Sequence, residues 1–359
     1  MEDGRGGYVF LMGVFQIKLN SLFNLFALSL ILVMGIPGCQ VQPTTDPSKT
    51  GYEEESNDTM QNDTDKKENE HLTVDDSIGD LLAHPAFQGF QNHLMPRNDS
   101  NYDEAMLLRH VDGVLPYHSH VNPDTVVTSL NYMVDEMNAG EKIFYDFYSE
   151  DQKQEDQSLS NTGLFFFRGD PGAPFAIISP GGGFSYVGSL HEGFPYAMEL
   201  SKRGYNAFVL TYRVGGEEIA TEDLIAAISY IVENAEELEV SVKDYSVWGS
   251  SAGARMAANA GSFRANGFSP PAAVVMAYTA HQNFTESDPP TFVTASKCDR
   301  IVNIEAVRNR VANLRDVGID VEYVEFDNVG HGFGLGTGTD AEGWIEKAIG
   351  FWEMQMEAS

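Results

Sequence analysis

The fold of this chain is decided by Val247-Trp248-Gly249-Ser250-Ser251-Ala252-Gly253-Ala254, where an apolar run meets a turn of small residues and then a helix-forming run. The apolar residues 245–248 predict a buried strand, and residues 254–260 predict a helix. A turn this tight strains its central backbone, and side chains at Gly249 or Gly253 would clash with neighbouring backbone. The turn therefore presents the Ser251 hydroxyl at the carboxyl end of the strand, and the Ala252 N–H points to the same place.

Alternating strands and helices extend outward from this turn, from residue 143 to the end of the chain. Strands are predicted at residues 143–148, 164–167, 175–178, 207–212, 245–248, 272–278, 291–295 and 321–326, and helices at residues 193–203, 222–238, 254–260, 304–317 and 344–356. Nearly continuous apolar strands between amphipathic helices are typical of a sheet that is covered on both faces. The pattern predicts an α/β fold with a mostly parallel central sheet and helices on both faces.

Three polar side chains follow three of these strands: Ser251, then Asp299, then His331. Because the carboxyl ends of parallel strands meet at one edge of a sheet, we expect these residues to converge. A serine hydroxyl needs a base to become a nucleophile, an imidazole can be that base, and a carboxylate fixes the imidazole tautomer. Each residue alone also fits an ordinary role, as a small turn residue, a helix N-cap and a loop residue. Together they predict a catalytic triad.

A glycine-rich loop follows the third predicted strand, at Gly181-Gly182-Gly183-Phe184. Its backbone N–H groups could stabilise an oxyanion, and the glycines would let a carbonyl approach closely. We assign this oxyanion hole to Gly182, Gly183 and Ala252. Phe184, Tyr186 and His191 are candidates to line the substrate pocket, although core packing explains Phe184 equally well.

Residues 163–356 resemble serine α/β-hydrolases of the esterase/lipase superfamily, close to the acetyl-xylan and feruloyl esterase-like and hormone-sensitive-lipase-like groups. The resemblance is carried by the stretches Pro180–Phe184 and Gly249–Gly253, by Asp299 before Ile301-Val302, and by Gly330-His331-Gly332. Those lipases usually have a histidine where this chain has Pro180, which favours the carbohydrate-esterase-like branch. The resemblance implies an α/β-hydrolase fold and hydrolysis of carboxylic esters without a metal or cofactor.

The expected activity is an acyl-enzyme ester hydrolase for short, acetyl-type esters, on a carbohydrate or another small molecule. Two alternatives stay open. A serine peptidase of the prolyl-oligopeptidase type shares the triad and its order, although residues 40–140 are too few for the propeller that such enzymes carry. A surface lipoprotein could also keep this fold for binding without turnover.

The first 39 residues are typical of a bacterial lipoprotein signal peptide, with Lys18 before an apolar stretch that ends in Ile36-Pro37-Gly38-Cys39. Lipidation of Cys39 would anchor an exported protein to the outer face of the cell membrane, or in the periplasm. The charged residues directly after Met1 are unusual in such a leader, so Met12 is an alternative start. Cys298 would then have no partner, and we interpret it as a small buried residue.

The remaining regions divide at residues 80 and 142. Residues 40–80 are polar and acidic, which predicts a disordered linker, and residues 81–142 form an N-terminal segment on the main domain and a candidate lid. The main catalytic domain is residues 143–359. Tyr117-His118-Ser119-His120 could supply metal ligands, but ordinary loop or lid polarity explains it better.

The charge balance limits the partners of this protein. The net charge is −31, from 22 basic and 53 acidic residues. So acidic a chain cannot neutralise phosphates, which argues against a nucleic-acid partner. The sequence leaves the oligomeric state open.

Overall fold

A computed structural model describes residues 70–97, 101–262 and 269–358. All described residues belong to one compact unit. The predicted signal peptide, Cys39 and most of the predicted linker lie outside the described residues. Within those ranges, no helix has the length and apolar character needed to cross a bilayer.

An eight-stranded sheet forms the centre of the described chain. Its strands are β1 (Phe144–Tyr145), β2 (Gly163–Phe167), β3 (Pro174–Ser179), β4 (Asn206–Thr211), β5 (Ser241–Ser250), β6 (Ala273–Ala277), β7 (Thr291–Ser296) and β8 (Val321–Phe326). They lie in the order β1-β2-β4-β3-β5-β6-β7-β8. β2 pairs antiparallel with β1 and β4, and the other pairs are parallel. The predicted mostly parallel sheet is confirmed.

The predicted helices are present in the described residues, close to their predicted positions. The helices are α1 (Ile78–Ala83), α2 (Pro123–Asn138), α3 (Glu150–Glu155), α4 (Phe194–Ser201), α5 (Glu217–Glu233), α6 (Ala252–Ser262), α7 (Ile304–Asp316) and α8 (Trp344–Ala358). The predicted helix 222–238 is displaced, because it begins directly after Gly216 with Glu217 and Glu218 in its first turn. Acidic side chains there are favoured by the helix dipole.

The two faces of the sheet bury separate cores. Ile178 and Trp248 face one core, which includes residues of α2, α4 and α8, and their neighbours Ile177 and Val247 face the other, which includes residues of α5 and α6. This division follows from the alternation of side chains along a strand. A smaller third cluster holds α7 against β7 and β8. Because both faces are covered, a site is expected at the carboxyl ends of the strands.

The predicted disordered linker ends too late in the sequence. Residues 70–80 are folded, with Leu72 and Ile78 buried and a Ser77–Asp80 capping box at the start of α1. The Asn131 side chain, on α2, pairs with both the N–H and the carbonyl of Leu72 at 2.8 Å. A few apolar residues with fixed partners therefore order a segment whose composition is mostly polar.

Cys298 differs from its interpretation as a buried residue. It is a free and exposed thiol. β7 ends at Ser296, so Cys298 lies in the turn that leads to Asp299 and points away from the core.

Candidate active site

The turn after β5 has the strained geometry that its sequence predicts. Ser251 has a φ of 50°, and its N–H donates to the Ala277 carbonyl at 2.8 Å. A Cβ on Gly249 would lie 2.2 Å from the Gly253 carbonyl oxygen, and one on Gly253 would lie 1.8 Å from the Ser179 carbonyl oxygen. Only glycine fits at either position, and the fit holds Ser251 at the carboxyl edge of the sheet.

Ser251, His331 and Asp299 form a continuous chain of hydrogen bonds. The His331 Nε2 lies 2.8 Å from the Ser251 Oγ, and its Nδ1 lies 2.7 Å from the Asp299 Oδ2. The second Asp299 oxygen accepts the backbone N–H groups of Ile301 and Val302, each at 2.8 Å. The His331 and Asp299 side chains are only 6% and 2% exposed. The carboxylate is therefore fixed in place, and the imidazole is oriented to take a proton from Ser251.

Three backbone N–H groups face no acceptor at this edge. Gly182 and Gly183 have φ values of 134° and 63°, and α6 begins at Ala252. Within the described residues, no hydrogen bond uses the N–H of Gly182, Gly183 or Ala252. The adjacent Gly181 N–H is already engaged, since it donates to the Glu192 carboxylate at 2.6 Å. The three N–H groups that the sequence predicts as oxyanion donors therefore have no acceptor within the described residues.

The residues nominated for a substrate pocket lie in different environments. Phe184 is half-buried, with a φ of 55°, next to the glycines. Tyr186 and His191 are 4% and 5% exposed, and the His191 Nε2 lies 3.1 Å from the Gly332 carbonyl oxygen. The pocket role predicted for Tyr186 and His191 does not fit this burial, because both side chains are used within the fold.

His191 is also buried against a second histidine, His118, with ring centroids 5.5 Å apart. Burial lowers the pKa of His191 to about 4, and the charge of His118 acts in the same direction. The ring is therefore neutral at ordinary pH.

Sequence reasoning missed a buried polar cluster directly behind the glycine loop. The Glu192 side chain is 0% exposed, and its Oε1 accepts the Tyr278 hydroxyl at 2.6 Å and lies 3.1 Å from the His118 Nε2. Burial alone would raise the pKa of Glu192, but the charge and N–H of His118 and the Tyr278 hydroxyl lower it to about 2. The sequence held one signal of this cluster, because Glu192 is a charged residue at the start of an otherwise apolar helical stretch.

The N-terminal segment supplies two side chains to this edge. His118, interpreted as ordinary loop polarity, is instead buried, and its Nδ1 lies 2.9 Å from the Tyr186 hydroxyl oxygen. Tyr117 is 45% exposed, and its ring lies beside Gly183, 3.1 Å from where a Cβ would be. In the described ranges, no group of three or more His, Cys, Asp or Glu side chains is arranged to hold a metal.

The glycine loop and the serine turn fall in a segment that matches a known family. Residues 170–269 match BD-FAE, an esterase family. Endo-1,4-beta-xylanase B of Butyrivibrio fibrisolvens is 36% identical over 86 residues, which are 22% of this chain and 13% of that protein. The chain thus spans only a small part of that relative.

Two solved structures resemble the described fold. The acetyl ester-xyloside bifunctional hydrolase of Caldicellulosiruptor lactoaceticus matches with a TM-score of 0.52 and 21% identity, over 59% of this chain and 95% of its own. MGS-M1, an α/β-hydrolase enzyme from a Medee basin deep-sea metagenome library, matches with a TM-score of 0.48 and 26% identity, over 55% and 93%. The sheet topology and the likeness to the Caldicellulosiruptor hydrolase show an α/β-hydrolase fold, and residues 170–269 within it match an esterase family.

Proposed function

We propose that this protein is a serine carboxylic-ester hydrolase in which Ser251, His331 and Asp299 act as nucleophile, general base and orienting carboxylate. The observation that carries the proposal is the pair of contacts at 2.8 and 2.7 Å that join the three side chains. His331 would take the Ser251 proton as Ser251 attacks the ester carbonyl, and would return it to the departing alcohol. Water would then release the acyl group by the same steps.

The oxyanion of each tetrahedral intermediate would form beside the free N–H groups of Gly182, Gly183 and Ala252. Each donor matters, because the loss of one such group typically lowers kcat by about 10²–10³-fold. Close packing around the glycines fixes the backbone that carries these three N–H groups. The groups therefore need little reorganisation when negative charge develops on the substrate oxygen.

The substrate we propose is a short, acetyl-type ester of a carbohydrate. The half-exposed ring of Tyr117 beside Gly183 supports this, because an aromatic face next to the reacting carbonyl can pack against the apolar face of a sugar. The name of the Caldicellulosiruptor hydrolase includes acetyl ester and xyloside, and the relative matched over 86 residues is named a xylanase, so both names concern xylose-containing carbohydrates.

The catalytic assignment is tested with the full-length protein and p-nitrophenyl acetate. We expect Ser251→Ala to lower kcat by about 10⁴-fold or more and Asp299→Asn by about 10³–10⁴-fold. Ser229→Ala, on α5, is the matched control and keeps the wild-type rate. Equal slow rates in wild type and Ser251→Ala contradict the assignment. They would favour either a peptidase, detected with peptide amides, or a binding protein, which a fluorophosphonate would leave unlabelled at Ser251.

The substrate class is tested separately. We expect acetate to be hydrolysed faster than decanoate, and Tyr117→Ala to raise KM for an acetylated xylo-oligosaccharide but not for p-nitrophenyl acetate. A preference for decanoate contradicts the short acyl group. An equal effect of Tyr117→Ala on both acetates contradicts the sugar contact.

We also propose export and a lipid anchor on Cys39, which rest on the sequence of residues 1–39 alone. Radiolabelled fatty acid should be incorporated into the wild type and not into Cys39→Ala, and Cys39→Ala should leave the membrane fraction. Equal labelling of both proteins contradicts the anchor.

A further inference from the structure

We propose that Glu192 is a positioning residue, which holds the oxyanion loop against Ser251 by accepting the Gly181 N–H, and that His118 of the N-terminal segment holds Glu192. The inference rests on the proposed ester hydrolysis and adds to it a residue that touches neither the substrate nor the triad.

The Gly181 peptide is held on both sides. Its N–H donates to the Glu192 Oε2 at 2.6 Å, and its carbonyl accepts the Gly188 N–H at 2.9 Å. A Cβ on Gly181 would lie 2.8 Å from that carboxylate oxygen and 3.0 Å from the Ser251 Cβ. Gly181 is therefore packed between Glu192 and the nucleophile, and its orientation sets the direction of the Gly182 and Gly183 N–H groups that follow.

A buried carboxylate destabilises a fold unless other groups compensate its charge. Here the second oxygen of Glu192 is held by the Tyr278 hydroxyl at 2.6 Å and the His118 Nε2 at 3.1 Å. His118 is fixed in turn by Tyr186 through its Nδ1, at 2.9 Å. Glu192 thus has a donor for each oxygen, and one of its donors is the loop that it positions.

This arrangement links the N-terminal segment to the chemistry. The carbonyl of Gly182 accepts the Ser185 N–H at 3.0 Å, and a Cβ on Gly182 would lie 2.1 Å from the Tyr186 carbonyl oxygen. The loop therefore closes on Tyr186, the same residue that holds His118. Removing Glu192 would leave an unsatisfied Gly181 N–H directly behind the donors that face the oxyanion.

The test compares three substitutions of Glu192. Glu192→Ala removes the acceptor, Glu192→Asp keeps a charge but falls one methylene short of Gly181, and Glu192→Gln keeps an oxygen at the original reach. Active sites are first counted by titration with a fluorophosphonate. Then kcat and KM for p-nitrophenyl acetate and the rate constant of phosphonylation are measured per active site.

We expect Glu192→Ala and Glu192→Asp to lower kcat on the order of 10²-fold, the lower end of the effect of losing one oxyanion donor. KM should change little, and phosphonylation should slow in parallel, because it also places charge on an oxygen in this hole. Glu192→Gln should recover most of the rate. His118→Gln should lower kcat less than Glu192→Ala does.

Asp288→Ala is the matched control, since Asp288 is also a buried carboxylate and accepts the Ser262 hydroxyl at 2.6 Å. It should lower stability without changing kcat per active site. The proposal is overturned if the titrated sites of Glu192→Ala turn over at the wild-type rate. It is also overturned if kcat is higher for Glu192→Asp than for Glu192→Gln. If Glu192→Ala does not fold, the comparison of Gln with Asp still decides. A wild type that hydrolyses no ester contradicts the proposed function instead, before any variant is compared.

Discussion

His191 makes the stability of this protein depend on pH in a way that can be calculated. Its ring is buried, it lies against His118, and its pKa is lowered from 6.5 to about 4. In the unfolded chain the same ring has its ordinary pKa. Between these two values the unfolded state binds a proton that the folded state does not, so stability must fall as the pH decreases from about 6.5 to about 4.

The size of the effect follows from the two pKa values. Lowering the pH from 7 to 5 protonates nearly all of the unfolded histidine and little of the folded one, which costs about 2 kcal/mol of unfolding free energy. Glu192 also lies in this cluster, but its pKa of about 2 keeps it ionised throughout this range. Its own contribution to stability should be lost only as the pH falls from about 4.5 towards 2.

The assay is urea unfolding at pH 7 and pH 5, for the wild type and for His191→Gln. We expect His191→Gln to be less stable at pH 7 and to lose about 2 kcal/mol less than the wild type on acidification. His110→Gln replaces an exposed histidine and should keep the wild-type difference. If His191→Gln shows the same difference between the two pH values as the wild type, His191 takes up a proton in the folded state and the reasoning is refuted.

Three further predictions concern the turn, the N-terminal segment and the free thiol. Gly253→Ala should abolish soluble folded protein, because its Cβ would lie 1.8 Å from the Ser179 carbonyl oxygen; near-wild-type circular dichroism and Tm would contradict this. Asn131→Ala removes both hydrogen bonds to Leu72 and should cost about 2 kcal/mol; an unchanged urea midpoint would refute it. Native Cys39→Ala protein should react with Ellman's reagent through exposed Cys298, whereas the double variant Cys39→Ala, Cys298→Ser should not react.

The sequence was sufficient to predict the sheet and to predict that the proposed triad residues lie close together. Ser251, Asp299 and His331 each follow a nearly continuous apolar strand, so the parallel rule alone places them at one edge. Prediction from the sequence failed where the burial of a side chain depends on a partner far along the chain. Tyr186 and His191 follow the glycine loop, as pocket residues would, but their ring contacts with His118 show that they lie inside the fold. Local patterns carry no information about such contacts.

The same contacts bear on whether residues 81–142 act as a lid, which remains a prediction. Withdrawing His118 would take one hydrogen-bond partner from the buried Glu192 carboxylate, which would destabilise the fold. The next residue is held as well, since the Ser119 N–H donates to the Gly332 carbonyl at 3.0 Å, directly after His331. Residues 118 and 119 therefore connect the glycine loop, through Glu192, to the loop that carries His331. Any lid movement that accompanies turnover should leave these two residues in place and use other parts of the segment, because moving them would loosen both loops on which the proposed mechanism depends.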